Sequence, residues 1–278
     1  MLDIHTHLYF PDFDLDRDET VKRAKEAGVG FMISVGTDPE DNAKAIGIAE
    51  AYDGVSASVG LHPHFFNRPE IDETRIAEEA GRLETLAGHP KVVAIGECGL
   101  DYFSREPGRP ITDEQKSRQK EGLLAQMGIA TKLGLPLILH TRPSQGSMDA
   151  YEDMFDILKS ESLTAVLHCY QGDTGITREF LGLPNVHFSF AGNVTYPVKK
   201  ALEGTKDDIR ETVKLVPSDR LFVETDCPFL APQDKRGGRN EPAFVRMTAG
   251  AVAAIRAVSE EEIDRQVGQN ALRVFGRK

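Results

Sequence analysis

Six residues of the kind that hold metal ions are spread along the chain: His5 and His7 in DIHTHL, Glu97 in VVAIGECGLD, His140 in LPLILHTR, His168 in LTAVLHCY and Asp226 in RLFVETDCP. Imidazole nitrogens and carboxylate oxygens are common ligands of divalent metals. Each of the six sits where a short apolar run ends. His5 and His7 are two apart, so in a strand they share a face and can reach one ion. Glu97 follows Val93 and Ile95 on the same side and would be costly to bury without a cation or partner. Taken singly, Glu97 reads first as a surface carboxylate, and His140 or His168 as a satisfied structural histidine. Asp226 has Glu224 two residues back on the same face, behind Phe222 and Val223. The joint pattern says more than its parts. Six ligands exceed what one four-coordinate ion takes from protein, so a site for two ions follows, with Glu97 placed to bridge them. Mixed nitrogen and oxygen ligands suit zinc, manganese, cobalt or nickel better than magnesium, which prefers oxygen. Glu224 and Asp3 fall one layer deeper and are expected to orient histidines, or else to form a buried structural pair.

These residues meet only if a fold gathers strand ends. Runs rich in Val, Ile, Leu and Phe read as eight strands: Leu2–His7, Val29–Gly36, Val55–Leu61, Val92–Glu97, Leu135–His140, Leu163–His168, Val186–Ala191 and Leu221–Asp226. Nearly all are apolar throughout, as strands covered on both faces are. Segments of helical spacing lie between them. Arg17–Ala27 stops at Gly28, and Asp38-Pro39 opens the next helix with a cap and an N1 proline. Ile76, Ala80, Leu83 and Ala87 recur before Gly88, and Leu123, Met127, Ala130 and Leu133 before Gly134. Ser259–Glu262 reads as a capping box. The alternation predicts an α/β fold, a (β/α)8 TIM barrel, in one domain over residues 1–278. The rival open sheet lacks a Gly-x-Gly-x-x-Gly turn after its first strand, which also argues against a nicotinamide-dependent oxidoreductase. Long segments after strands, Phe103–Asp113 and Pro228–Pro242, are expected on the active-site face.

The chain has 278 residues with 40% hydrophobic and 28% charged content, a globular balance. It shows neither a membrane-length apolar run nor a signal segment, so a cytoplasmic protein is expected. Cys98, Cys169 and Cys227 each follow a ligand candidate, and alternation turns them toward the helices as small buried residues; thiolate ligation is the alternative. Lys and Arg number 33 against 44 Asp and Glu, a net charge of −11. Such a protein has no general attraction for nucleic acid. A polyanionic substrate needs local cations, with metals and a few arginines the obvious source.

The ordered motifs DIHTHL, GLHPH (60–64), GECGLDY (96–102), HTR (140–142), HCYQG (168–172), ETDCP (224–228) and RGGRNEP (236–242) resemble those of the TatD-type metal-dependent deoxyribonucleases. The resemblance runs along essentially the whole chain and implies hydrolysis of DNA phosphodiesters, often as a 3′–5′ exonuclease. It implies two divalent ions, Mg, Mn or Zn: His5, His7 and Asp226 hold one, His140 and His168 the other, and Glu97 is shared. DNA, single-stranded or at 3′ ends, is the implied partner, with no membrane and no obligate protein partner. Two such ions can ready a water and hold both oxygens of an in-line displacement; Asp226 is expected to position or deprotonate that water, and Glu97 to serve beside it. His62 and His64 are expected at the substrate phosphate, or in loop packing. Arg142, Arg236 and Arg239 are further phosphate contacts, the last two otherwise a solvated cluster. Tyr102 and Phe103 stack on a base or pack their loop. Segments Pro143–Asp149 and Ser104–Asp113 are longer than the family pattern and expected at the mouth. The same centre could also hydrolyse an ester or amide, for example as a D-aminoacyl-tRNA deacylase. A non-catalytic metal-binding barrel is a third reading, against which stands the complete ligand set.

Overall fold

The computed structural model describes residues 1–104, 106 and 108–276. Eight parallel strands form one sheet in sequence order: β1 (Leu2–Thr6), β2 (Phe31–Val35), β3 (Val55–Val59), β4 (Val92–Asp101), β5 (Leu137–Arg142), β6 (Ala165–Leu167), β7 (Val186–Phe190) and β8 (Leu221–Val223). The ring closes where the tail of β8 meets β1. Thr6 bridges Cys227, His7 N donates to Cys227 O (2.8 Å), and Asp226 N donates to His5 O (2.9 Å). The fold is a (β/α)8 barrel, and that closure brings the last ligand candidate to the first two.

Among the described residues nine α-helices cover the sheet: α1 (Arg17–Glu26), α2 (Pro39–Ala51), α3 (Glu73–Ala87), α4 (Asp113–Leu133), α5 (Asp149–Leu158), α6 (Thr174–Leu181), α7 (Ile209–Leu215), α8 (Val245–Arg256) and α9 (Glu260–Phe275). Helix covering on one side and side-chain layers on the other leave β1, β4 and β7 buried along their whole length. Local chemistry sets the helix ends. Asp38 accepts from the amides of Glu40 and Asp41, Thr112 and Gln115 form a full capping box, and Gly134 ends α4 in the left-handed region at φ 65°. Ser259 accepts from Glu262 N at the start of α9. No helix among the described residues is long and apolar enough to cross a membrane.

Among the strand limits that differ from those read off the sequence, those of β4, β6 and β8 have consequences for the site. β4 does not end at Glu97 but continues to Asp101, with a register shift between Ile95 and Cys98. Gly99 makes this possible: it holds φ 142°, and a Cβ there would lie 1.9 Å from the His140 carbonyl oxygen. β6 and β8 are only three residues long, so His168 and Asp226 stand just beyond the sheet. Cys169 (φ 44°) and Asp226 (φ 56°) take the left-handed conformation there and break the strand alternation.

Candidate metal centre

Glu97 lies at the middle of the barrel mouth with its side chain buried and its two oxygens turned to opposite sides. Oε2 is 3.4 Å from His5 Nε2 and 3.8 Å from His7 Nε2. Oε1 is 2.8 Å from His140 Nδ1, 3.0 Å from His168 Nε2 and 3.5 Å from His62 Nε2. Asp226 Oδ1 completes the first side at 3.4 Å from His7 Nε2 and 3.7 Å from His5 Nε2. All six ligand candidates therefore converge from strands 1, 4, 5, 6 and 8, and His62 joins them from the end of β3.

The outer nitrogens decide what the inner ones present. His7 Nδ1 faces the Val35 carbonyl oxygen at 2.9 Å, His168 Nδ1 faces Glu224 Oε1 at 3.2 Å, and His140 Nε2 faces Asp101 Oδ2 at 3.2 Å. These neighbours can only accept when the acids are ionised, so each of those nitrogens carries a proton. The other nitrogen of each ring faces the centre, and in the neutral ring that a bound ion would select it offers a lone pair. His140 Nδ1 and His168 Nε2 lie 3.2 Å apart, and His5 Nε2 and His7 Nε2 3.3 Å apart. Lone pairs and carboxylate oxygens gathered this closely in a buried place call for cations between them. The ligand atoms of His5, His7 and Glu97 lie within 4.8 Å of one another, as do those of His62, Glu97 and His140. The residues present fit divalent metal ions.

The charge states follow from the same geometry. Burial opposes the charge on every group, yet His168, His62 and His140 hold the Glu97 carboxyl well below its ordinary value. His7, with His5 and His168, lowers the Asp226 carboxyl against burial. Burial would also discharge His140, but Asp101 and Glu97 outweigh it and raise the imidazolium to about 9. His5 and His62 have no such excess of carboxylates, and burial lowers both.

Several sequence expectations land elsewhere. Asp3 does not touch a histidine ring: it accepts from His5 N (3.3 Å), Thr225 N (3.0 Å) and Thr225 Oγ1 (2.6 Å), and burial pushes its carboxyl up to about 8. It ties β1 to the β8 tail, because its side chain points across the closure. Glu224 Oε1 lies 3.2 Å from His168 Nδ1 and also accepts from Cys169 N at 2.8 Å. Arg239 is not a cavity residue. Its guanidinium forks onto Asp16 at 2.6 and 2.8 Å and covers the Phe13 ring at 4.5 Å. Arg236 lies over Tyr196 at 4.6 Å, also off the cavity lining. Cys98 and Cys227 are buried, whereas Cys169 leaves the strand pattern and lines the cavity. Tyr102 is buried and donates to Asp153 Oδ2 at 2.8 Å. Residues 143–148 line the mouth; of the other long segment, residues 105 and 107 lie outside the described residues, and the described ones from 104 to 113 do not line it.

His62, His64 and Arg142 do face the cavity, which has a volume of about 1580 Å³. His62 Nδ1 accepts from His64 N (3.1 Å), and His64 Nε2 lies 3.0 Å from Asp101 Oδ2. Arg142 stacks on Phe103 at 3.8 Å and makes no ion pair among the described residues. Asp101 is the residue that sequence reasoning missed. It is buried, serves His140 and His64 together, and accepts from Phe103 N at 2.9 Å. Its signal was period two: Glu97, Gly99 and Asp101 share a face once the strand is allowed to run on.

A closed (β/α)8 barrel carrying four histidines and two carboxylates at the carboxyl ends of its strands defines a metal-dependent hydrolase. The profile of the TatD related DNase family matches residues 2–276, and the chain belongs to that family. It is 37% identical over 279 residues to the metal-dependent hydrolase YabD of Bacillus subtilis, covering 99% of this chain and 98% of that one. It is 35% identical over 284 residues to the 3′-5′ ssDNA/RNA exonuclease TatD of Erwinia amylovora, covering 99% and 100%. The crystal structure of YJJV, a TatD homologue from Escherichia coli, superposes with a TM-score of 0.84 at 28% identity over 100% of this chain and 98% of that one.

Proposed function

We propose that the protein hydrolyses phosphodiester bonds of single-stranded DNA, from 3′ ends, with two divalent ions held by the six residues at the barrel mouth. The observation that carries this reading is Glu97, whose two oxygens face two separate groups of imidazoles. His5, His7 and Asp226 would hold one ion, His140 and His168 the other, and Glu97 both; magnesium, manganese and zinc are the candidates, and the nitrogen-rich set favours the transition metals. When bound, the ions supply Lewis-acid stabilisation of the phosphoryl oxygens and ready a water for in-line attack.

The remaining work falls to the chain. Asp226 stays ionised and partly reachable from the cavity, so it can take the proton of the attacking water. Arg142 keeps its N–H fork free for a phosphate because a ring, rather than a carboxylate, holds it. His62 and His64 line the same cavity and would meet another oxygen of the substrate backbone. The cavity is larger than the few hundred to about 1,000 Å³ of a small-molecule site, which suits a polymer end. The 3′-5′ exonuclease TatD, 35% identical over its full length, supports both bond and polarity. In this reading residues 1–278 act as one catalytic unit in the cytoplasm, without a protein partner.

The test is metal-reconstituted activity on end-labelled single-stranded DNA beside aminoacyl-ester substrates, with metal quantified in the same sample. Stepwise shortening from the 3′ end is expected; ester cleavage with intact DNA would replace the nuclease reading. Glu97→Ala should lose at least one ion per chain, and two ions retained in elemental analysis would remove the bridging role.

A further inference from the structure

Beside His7 the cavity wall turns apolar. Phe229 exposes 50% of its surface there, an unusual setting for a phenylalanine in the wall of a polar, metal-ready cleft. Its ring stands at 85° to that of Phe10, centroids 5.7 Å apart, so the two form a corner. Phe10 is fixed from behind. It stacks on His7 at 5.0 Å with 27° between planes, and Tyr9 packs edge-on at 5.0 Å. Phe229 is anchored through its backbone: its N–H donates to Asp226 O at 2.9 Å. One ring is thus stacked on a ligand imidazole, and the other is tied through its backbone to the residue whose carboxylate would take the water's proton. The His7 ring also stands 6.2 Å from that of Phe229, so the corner borders the ligand groups that a scissile phosphate would approach.

We propose that Phe10 and Phe229 form a seat for the nucleobase of a nucleoside flanking the scissile phosphodiester. This rests on the hydrolase reading above and adds to it what the substrate must carry. A nucleotide places a flat π-face one sugar away from its phosphate, and aromatic rings take any base by stacking without reading its edge. Aliphatic side chains would fill the same corner, but only a planar ring exploits two aromatic faces set at right angles. The seat therefore grips a single strand, whose bases are free to leave the stack, and gives no base preference. The positive arm of the cleft at Arg142 would hold the backbone beyond it.

The test pairs deletion of the ring with deletion of the base. Oligothymidylates with an abasic residue at the terminal or the penultimate position are cleaved beside the intact strand, by wild type and by Phe229→Ala and Phe229→Leu, with metal content measured in each. Wild type should prefer the intact strand over one of the abasic strands by about tenfold in kcat/KM, mostly through KM, the order expected of one base–ring stack. Phe229→Ala and Phe229→Leu should cleave that abasic strand as wild type does, bind the same amount of metal, and lose the preference. A preference equal in wild type and variants would overturn the base seat and leave the hydrolase reading standing. Failure of wild type to cleave any strand with metal bound would overturn both.

Discussion

Asp101 holds the far side of His140, and through His64 it also reaches the cavity wall. Removing its charge while keeping its shape, in Asp101→Asn, should leave the fold intact and weaken the hold on His140. Outer partners of this kind are worth about 10–100-fold in metal affinity, so titration of apo-protein with Mn²⁺ should show a loss of that order. An unchanged affinity would confine Asp101 to bracing the Phe103 loop. Asp226→Asn tests a different role, because its neighbour Glu97 stays in place to share the ions. Two ions per chain should remain nearly intact, while turnover on DNA falls by about 10²–10⁴, the range for a lost general base. Turnover at the wild-type level would take Asp226 out of the proton transfer.

At the scale of elements, β4 carries the centre, and two glycines let it. Gly60 on the neighbouring strand end has no room for a side chain, since a Cβ would meet Gly96 C at 2.6 Å and Glu97 N at 2.8 Å. Gly99 is the sharper case, with its φ of 142° and the His140 carbonyl behind it. Gly99→Ala should push β4 and β5 apart, lower the melting temperature, and reduce metal occupancy more than the fold, at a cost of about 1–3 kcal/mol for the strained backbone alone. Gly81 provides the contrast. It lies in exposed α3 with nothing within 4 Å of a Cβ, so Gly81→Ala should stabilise by about 0.8–1 kcal/mol through helix propensity. Thermal melts of both variants check the opposite signs.

Across the whole molecule, long-range ionic clasps hold the loops around the mouth. Arg239, on the loop after β8, grips Asp16 before α1, and Arg23 joins Asp16 to Glu241. Arg239→Ala should cost about 1–2 kcal/mol, seen as a drop of a few degrees in melting temperature with KM for DNA unchanged; a raised KM would return Arg239 to the substrate. Ahead of α7, Arg210 and the amides of Gly204 and Arg210 hold the Asp208 carboxyl well below its ordinary value. A carboxyl depressed on folding contributes stability that is complete above the unfolded value and is lost as pH falls from there through the folded one. Melting temperature should therefore fall below about pH 4, and Asp208→Asn should be less stable at neutral pH while showing a shallower acid loss. The barrel was legible in the sequence because apolar runs, helix caps and glycine stops are short-range signals, set by which residues can be buried or bent within a turn of chain. The candidate ligand types stood out for a related reason, as polar residues at or near the ends of apolar runs, although Glu97 lies inside a strand that continues to Asp101. Tertiary structure alone decided that Glu97 faces two ways, that Asp101 belongs to the site, that Asp3 binds backbone rather than a ring, and that Arg239 is spent on Asp16, 223 positions away. Those outcomes depend on which donor meets which acceptor when β8 closes onto β1, and no local pattern encodes a partner on the far side of that closure.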